Sequence, residues 1–258
     1  MPLLDVKNLT KNFGGLAAVS HVNLQLEANE LVGLIGPNGA GKTTLFNLLT
    51  GVYEPSDGDI LLDNQGTPER LNGIKPFKVA GKGLSRTFQN IRLFKDLTVI
   101  DNVLIAMNGK HQARILTSIL RLPKYYHSEM QLRKKALELL AIFGLEKKAA
   151  LLAKNLPYGE QRRLEIVRAL ATEPKLLFLD EPAAGMNPQE TAELTGLIRK
   201  IQKDFKITIL LIEHDMSLVM EVCERIYVLE YGQLIAHGKP TEIKNNPRVI
   251  EAYLGGEL

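Results

Sequence analysis

The chain carries one cysteine, Cys223, so no internal disulfide can staple it, and this usage fits a reducing compartment. Long hydrophobic runs are missing as well. No apolar stretch exceeds five residues, as at 103–107 and 139–143, whereas a membrane helix needs about 20. A bilayer-spanning segment is therefore not expected. Met1-Pro2-Leu3-Leu4-Asp5 also lacks the basic-then-apolar pattern of a signal peptide. Charge of one sign is scarce, and a net +3 over 258 residues is too little to argue for nucleic acid. Heptad runs, repeats and low-complexity tracts are absent, which excludes coiled-coil, collagen-like and disordered readings of the whole chain. What remains is ordinary globular composition, sized for one large domain or a core with a subdomain.

The charge is unevenly placed. Residues 110–135 carry Lys110, Arg114, Arg121, Lys124, Arg133, Lys134 and Lys135 against Glu129 alone. A solvated helical face accounts for this. So does a face held near anionic lipid headgroups, or against a partner that is itself in a membrane.

Periodicity divides the chain. Residues 19–26 nearly alternate apolar and polar, which predicts a half-buried strand, and 31–35 reads as a buried parallel strand. A glycine-rich turn and an apolar helical stretch, 43–49, follow. Residues 60–62 predict another strand after the turn chemistry of Glu54-Pro55-Ser56-Asp57-Gly58. From 99 to 152 the pattern is helical, clearest over 129–143, with Leu132, Ala136, Leu139 and Leu140 on one side. Strands are predicted at 176–179, 207–212 and 226–229, a helix at 189–203 and a closing helix at 243–254. Alternating strands and helices predict an α/β fold with a mostly parallel sheet, interrupted near 90–155 by a helical insertion.

Two motifs carry chemistry on their own residues. Gly36-Pro37-Asn38-Gly39-Ala40-Gly41-Lys42-Thr43, followed by Thr44, matches G-x-x-x-x-G-K-[ST] between a buried strand and a helix. Glycines there let backbone N–H groups wrap a phosphate chain, and the helix N-terminus adds positive potential. Lys42 would reach the β- and γ-phosphates, and the Thr43 hydroxyl could ligate Mg²⁺. Leu176-Leu177-Phe178-Leu179-Asp180-Glu181 places two acids at a strand's C-terminal edge, where ligands of parallel sheets gather. Asp180 would hold the metal's water shell, and Glu181 would polarise a water attacking the γ-phosphate.

Leu156-Pro157-Tyr158-Gly159-Glu160-Gln161-Arg162-Arg163 precedes a helical stretch and resembles the signature segment, L-S-G-G-Q, of ATP-binding cassette (ABC) ATPases. The resemblance covers essentially the whole chain. It implies a phosphate-loop ATPase core over 1–89 and 161–258, an N-terminal antiparallel β part, and an inserted helical subdomain at about 90–160. It implies that Phe13 stacks on adenine, that Gln89 senses Mg²⁺ and the γ-phosphate, and that His214 contacts the γ-phosphate. Ala183-Ala184-Gly185-Met186-Asn187-Pro188 matches the loop that communicates across an ATPase dimer. Three departures stand out: Pro157 and Tyr158 replace the serine and first glycine of the signature, Glu160 replaces its glutamine with Gln161 next, and Asn187 replaces an aspartate.

Arg86-Thr87-Phe88-Gln89, Arg92-Leu93-Phe94 and Glu181-Pro182-Ala183-Ala184-Gly185 are similar to one branch, the ATP-binding subunits of branched-chain amino acid uptake transporters. The resemblance implies ATP and Mg²⁺ as cofactors and head-to-tail closure on a second ATPase subunit. The signature residues Pro157, Tyr158, Gly159, Glu160 and Gln161 would act on the ATP of that partner. It further implies two membrane permease subunits, an extracytoplasmic solute-binding protein acting indirectly, and a peripheral place on the cytoplasmic face of the membrane. Other transporter branches (urea, amide or lipid) share the cassette. A nucleotide-binding module without hydrolysis would not need Glu181 and His214, and nucleic-acid ATPases of this kind carry long insertions missing here.

Overall fold

The computed structural model describes residues 1–108 and 123–254. Two sheets form the frame. The first is antiparallel, in the order β2 (Leu16–Leu26), β1 (Leu4–Phe13), β4 (Asp57–Asn64), β5 (Thr67–Arg70). The second runs β10 (Gln233–Gly238), β9 (Arg225–Glu230), β3 (Leu31–Ile35), β8 (Thr208–Ile212), β7 (Leu176–Asp180), β6 (Leu84–Arg86). All its neighbours are parallel except β10 and β9. Strands β3, β7 and β8 are buried at every position, as their largely apolar sequences require of a sheet covered on both faces.

Alternate residues of these strands enter two cores. Val32, Leu34, Phe178 and Leu210 pack toward the first sheet and the helix α1 (Lys42–Leu49), where Phe46 meets Phe178 edge to face at 5.3 Å. Leu31, Ile35, Leu177, Leu179, Ile209 and Leu211 pack on the opposite side, toward the remaining helices. Apart from α2 (Pro76–Gly81), whose Val79 enters the first core, those are α3 (Val99–Asn108), α4 (Pro123–Ile142), α5 (Tyr158–Leu170), α6 (Pro188–Phe205), α7 (Met216–Val222), α8 (Pro240–Lys244) and α9 (Pro247–Leu254). On α4, Ala136 and Leu140 are fully buried while Arg133, Lys134 and Lys135 face solvent, the division that its periodicity predicts. Lys110, Arg114 and Arg121 of the basic stretch lie outside the described residues, as does the side chain of Lys124. Cys223 is buried against Gly33, and burial pushes its thiol up to about 12, so it is a packing group. Among the described residues, no helix is long and apolar enough to cross a membrane.

Several elements differ from the sequence reading. The closing helix is two helices, because Pro247 has no N–H to continue α8 and instead starts α9. Helix α5 begins at Tyr158 rather than Leu164, so the signature forms its first turn. Strands β5, β6 and β10 and helices α2 and α7 carry no clear period of their own; tertiary pairing makes them. Asn187 is the N-cap of α6: its side chain accepts from the Glu190 N–H at 2.9 Å, and its own N–H donates to the Glu190 carboxylate at 3.0 Å. Asn187→Ala is expected to lower the free energy of urea unfolding by about 1 kcal/mol. Asn187→Asp caps comparably and should lose less than half of that; equal losses would show that the cap is not what holds the helix end.

Candidate functional site

The C-terminal ends of β3, β7 and β8 lie side by side, and each delivers one part of a cleft. After β3 the chain turns through residues 36–41 into α1. Two glycines here are dictated by close approach. A Cβ on Gly36 would lie 2.0 Å from the Leu229 carbonyl oxygen, and one on Gly41 would lie 2.4 Å from that of Ala18. Gly41 is the left-handed residue that opens α1, leaving Thr43 and Thr44 in its first turn with their N–H groups at the cleft. The Lys42 ammonium is tucked under the loop, donating to the carbonyls of Gly36 at 2.7 Å and Pro37 at 2.9 Å. Its burial lowers its pKa, against an opposing pull from Glu181.

At the end of β7, Asp180 and Glu181 part company. Asp180 turns inward, and its carboxylate pairs with Arg86 of β6 at 2.7 Å, both side chains nearly inaccessible at 5% and 7% exposed. Arg86 also donates to Asn47 of α1 at 2.7 Å. Glu181 has φ 47° and its N–H donates to the Ile212 carbonyl at 2.9 Å, a left-handed turn that throws its side chain into the cleft. There, one carboxylate oxygen accepts from the Gln89 amide at 2.8 Å, and the other lies 2.7 Å from His214 Nε2. Beside them, buried Glu213 holds the Ala183 N–H at 2.7 Å and the His214 N–H at 3.1 Å; burial raises its pKa, and those hydrogen bonds oppose the rise. Sequence reasoning assigned Glu213 no role, and only its place between a buried strand and His214 could have suggested one.

The cleft is about 590 Å³. Phe13, Asn38, Gly39, Ala40, Gly41, Lys42, Thr43, Thr44, Gln89, Glu181 and His214 line it, so most of the expected nucleotide residues meet in one place. Phe13 is 44% exposed, with Tyr53 edge-on at 5.4 Å and the Lys11 ammonium over its ring. Gly36, Pro37 and Asp180 sit beneath the lining. The signature does not reach this cleft. Pro157 caps α5, Tyr158 packs its ring on Gly185, Gly159 lies against the Glu190 carboxylate, and Glu160 pairs with Lys148 at 2.6 Å. Gln161 donates to the Leu156 carbonyl at 2.8 Å.

The Arg86–Asp180 pair sits under the whole site, so removing one charge strands the other. Arg86→Met should lower stability by about 3–5 kcal/mol in urea unfolding. The Arg86→Met/Asp180→Asn double variant should recover most of that loss, and simple additivity of the two changes would mean that the pair is not coupled.

The family described as ABC transporter matches residues 19–184, and the one described as branched-chain amino acid ATP-binding cassette transporter matches residues 233–258. The chain is 49% identical to the high-affinity branched-chain amino acid transport ATP-binding protein LivG of Escherichia coli K12, over 98% of both chains. It is 34% identical to the lipopolysaccharide export system ATP-binding protein LptB of the same organism, over 100% of this chain and 99% of LptB. Among solved structures, a nucleotide-free ATP-binding cassette from an ABC transporter superposes with a TM-score of 0.83 at 31% identity, covering 98% of this chain and 99% of the other. A dimeric cassette in a post-hydrolysis state bound to ADP and Pi superposes with a TM-score of 0.76 at 26% identity, covering 92% and 98%. With the phosphate loop, Glu181 and His214 meeting in one cleft, the chain belongs to the ABC transporter family, as one of its ATP-binding, ATP-hydrolysing subunits.

Proposed function

We propose that this subunit drives a branched-chain amino acid importer, hydrolysing ATP at the cytoplasmic face of the membrane. The observation that carries the reading is the convergence on Glu181: Gln89 and His214 each hold one of its carboxylate oxygens at the mouth of the Lys42 loop. In hydrolysis a water oxygen bonds to the γ-phosphorus while the bond to the bridging oxygen of ADP breaks. Glu181 takes the water's proton, Lys42 stabilises the departing charge, and His214 orients the γ-phosphate. Thr43 and Gln89 line the cleft and offer a hydroxyl and an amide carbonyl oxygen suited to Mg²⁺, while Asp180, paired with Arg86 below the lining, would act on the ion only through its water shell. Bound there, Mg²⁺ would neutralise charge on the phosphates.

The signature lies away from the cleft, which supports a second ATPase subunit closing on this one. On this reading residues 1–89 and 161–258 are the nucleotide core and about 90–160 a helical subdomain that passes motion to two permease subunits. The solute-binding protein acts only through those permeases. The identity to LivG, against the lower identity to LptB, favours amino acid uptake over lipid export. Proteoliposomes holding the whole transporter should show ATP-driven uptake of leucine, isoleucine or valine; ATP turnover without uptake of any of them would reject the substrate assignment.

Glu181→Gln should keep ATP binding and slow hydrolysis at least about 100-fold, with an ATP-bound dimer accumulating on gel filtration. Unchanged turnover would remove Glu181 from its role. Pro157 offers the partner's ATP neither a hydroxyl nor an N–H, so the two sites of a heterodimer would be unequal. In the assembled transporter Glu181→Gln should cost more activity than the matching change in the partner. Equal losses would make the sites equivalent.

A further inference from the structure

The hairpin joining β9 to β10 turns on Tyr231 and Gly232, with φ of 45° and 77°. Both central residues are left-handed, the requirement of a tight turn that favours Asn-Gly. A tyrosine in the first of these positions is strained. Nothing in the fold explains the choice. At 83% exposed, Tyr231 is the most exposed large hydrophobic side chain among the described residues, and there it has no hydrogen-bond or ring partner for its side chain.

The backbone beneath that ring is firmly held. The Gly232 N–H donates to the Ala40 carbonyl of the phosphate loop at 2.9 Å, and the Ser20 N–H donates to the Gly232 carbonyl at 2.8 Å. The Tyr231 ring is thus mounted on the loop that cradles phosphates, and it lines the same cleft as Phe13, Leu16 and Ala17. A phenol carries no positive charge for phosphate, while its aromatic face suits a nucleobase. One face of Phe13 is already occupied by the Lys11 ammonium, 5.2 Å from the ring centre, so a base stacked on the other face would still expose its own far side.

We propose that Tyr231 is a second aromatic contact for the nucleoside half of ATP, a binding residue that raises affinity for the nucleotide over its bare phosphates. The proposal rests on the cleft being the ATP site. On the purified subunit, Tyr231→Asn restores the residue that the turn prefers, so its melting temperature should be equal to or above that of the parent. The same variant should bind ATP about five- to tenfold more weakly by calorimetry, and tripolyphosphate, which lacks the nucleoside, equally well. Tyr231→Phe, which keeps the ring, should stay within about twofold of the parent for ATP. Unchanged ATP affinity in Tyr231→Asn would overturn the proposal. So would an equal loss for ATP and tripolyphosphate, since that would mean a damaged loop rather than a lost contact. If the parent binds neither ligand, or Lys42→Ala binds ATP as tightly as the parent, the ATP-site reading itself fails, a result separate from these.

Discussion

Arg162 and Glu165, one turn apart on α5, form a buried ion pair whose side chains are 3% and 6% exposed, and the geometry around Gln89 and Glu181 depends on it. The pair holds residues 88–92, a segment in neither helix nor strand, by its main chain. Glu165 accepts from the N–H groups of Phe88 at 3.4 Å and Arg92 at 3.2 Å, and Arg162 donates to the carbonyls of Phe88 and Gln89. These bonds fix the main chain of a segment that has no helix or strand ladder of its own. Burial still raises the Glu165 pKa, so the pair is tolerated because charge and hydrogen bonds are satisfied together. Its consequence is mechanical: Gln89 is clamped to the helix that begins with the signature, and the Gln89 amide touches Glu181. A shift of α5 therefore moves the amide that holds the Glu181 carboxylate.

The parallel sheet supplies the other half of the geometry. Strands β3, β8 and β7 are neighbours, so their ends bring the phosphate loop, Glu213-His214 and Asp180-Glu181 to one edge. Two adjacent acids then take opposite roles because the backbone turns left-handed between them. Asp180 continues the strand and meets Arg86 in the interior, while Glu181 leaves it and faces the cleft.

The wall of the cleft around Phe13 is built by different means, from strands and turns and the tip of the β9–β10 hairpin. Backbone hydrogen bonds from that tip to Ala40 and Ser20 tie this wall to the phosphate loop. The signature faces elsewhere, and its packing on Gly185 and Glu190 joins it to the segment that leads into α6. The chain thus keeps the signature apart from the cleft that the phosphate loop lines.

Some of this was determined by sequence alone. The order of strand, glycine loop and Lys42 is a local pattern, so the loop motif was readable without a fold, as were the buried strands 31–35, 176–179 and 207–212 from their largely apolar residues. Phe13, Gln89 and His214 were reachable only through resemblance, because a single aromatic, amide or imidazole has no period. Tertiary structure decided the rest. The sequence reading put Asp180 at a metal and Arg86 and Arg162 in motifs without pairing them, and only the fold buries the Arg86–Asp180 and Arg162–Glu165 pairs as supports. Strands β5 and β6 are too short to show a period, and β10, only partly buried, lacks an apolar run; all three take their form from a neighbour's hydrogen bonds. Tyr231 belongs to the same class: its strain and exposure follow from a turn whose shape is imposed by the strands it joins, and a string of residues does not record which cleft that turn faces.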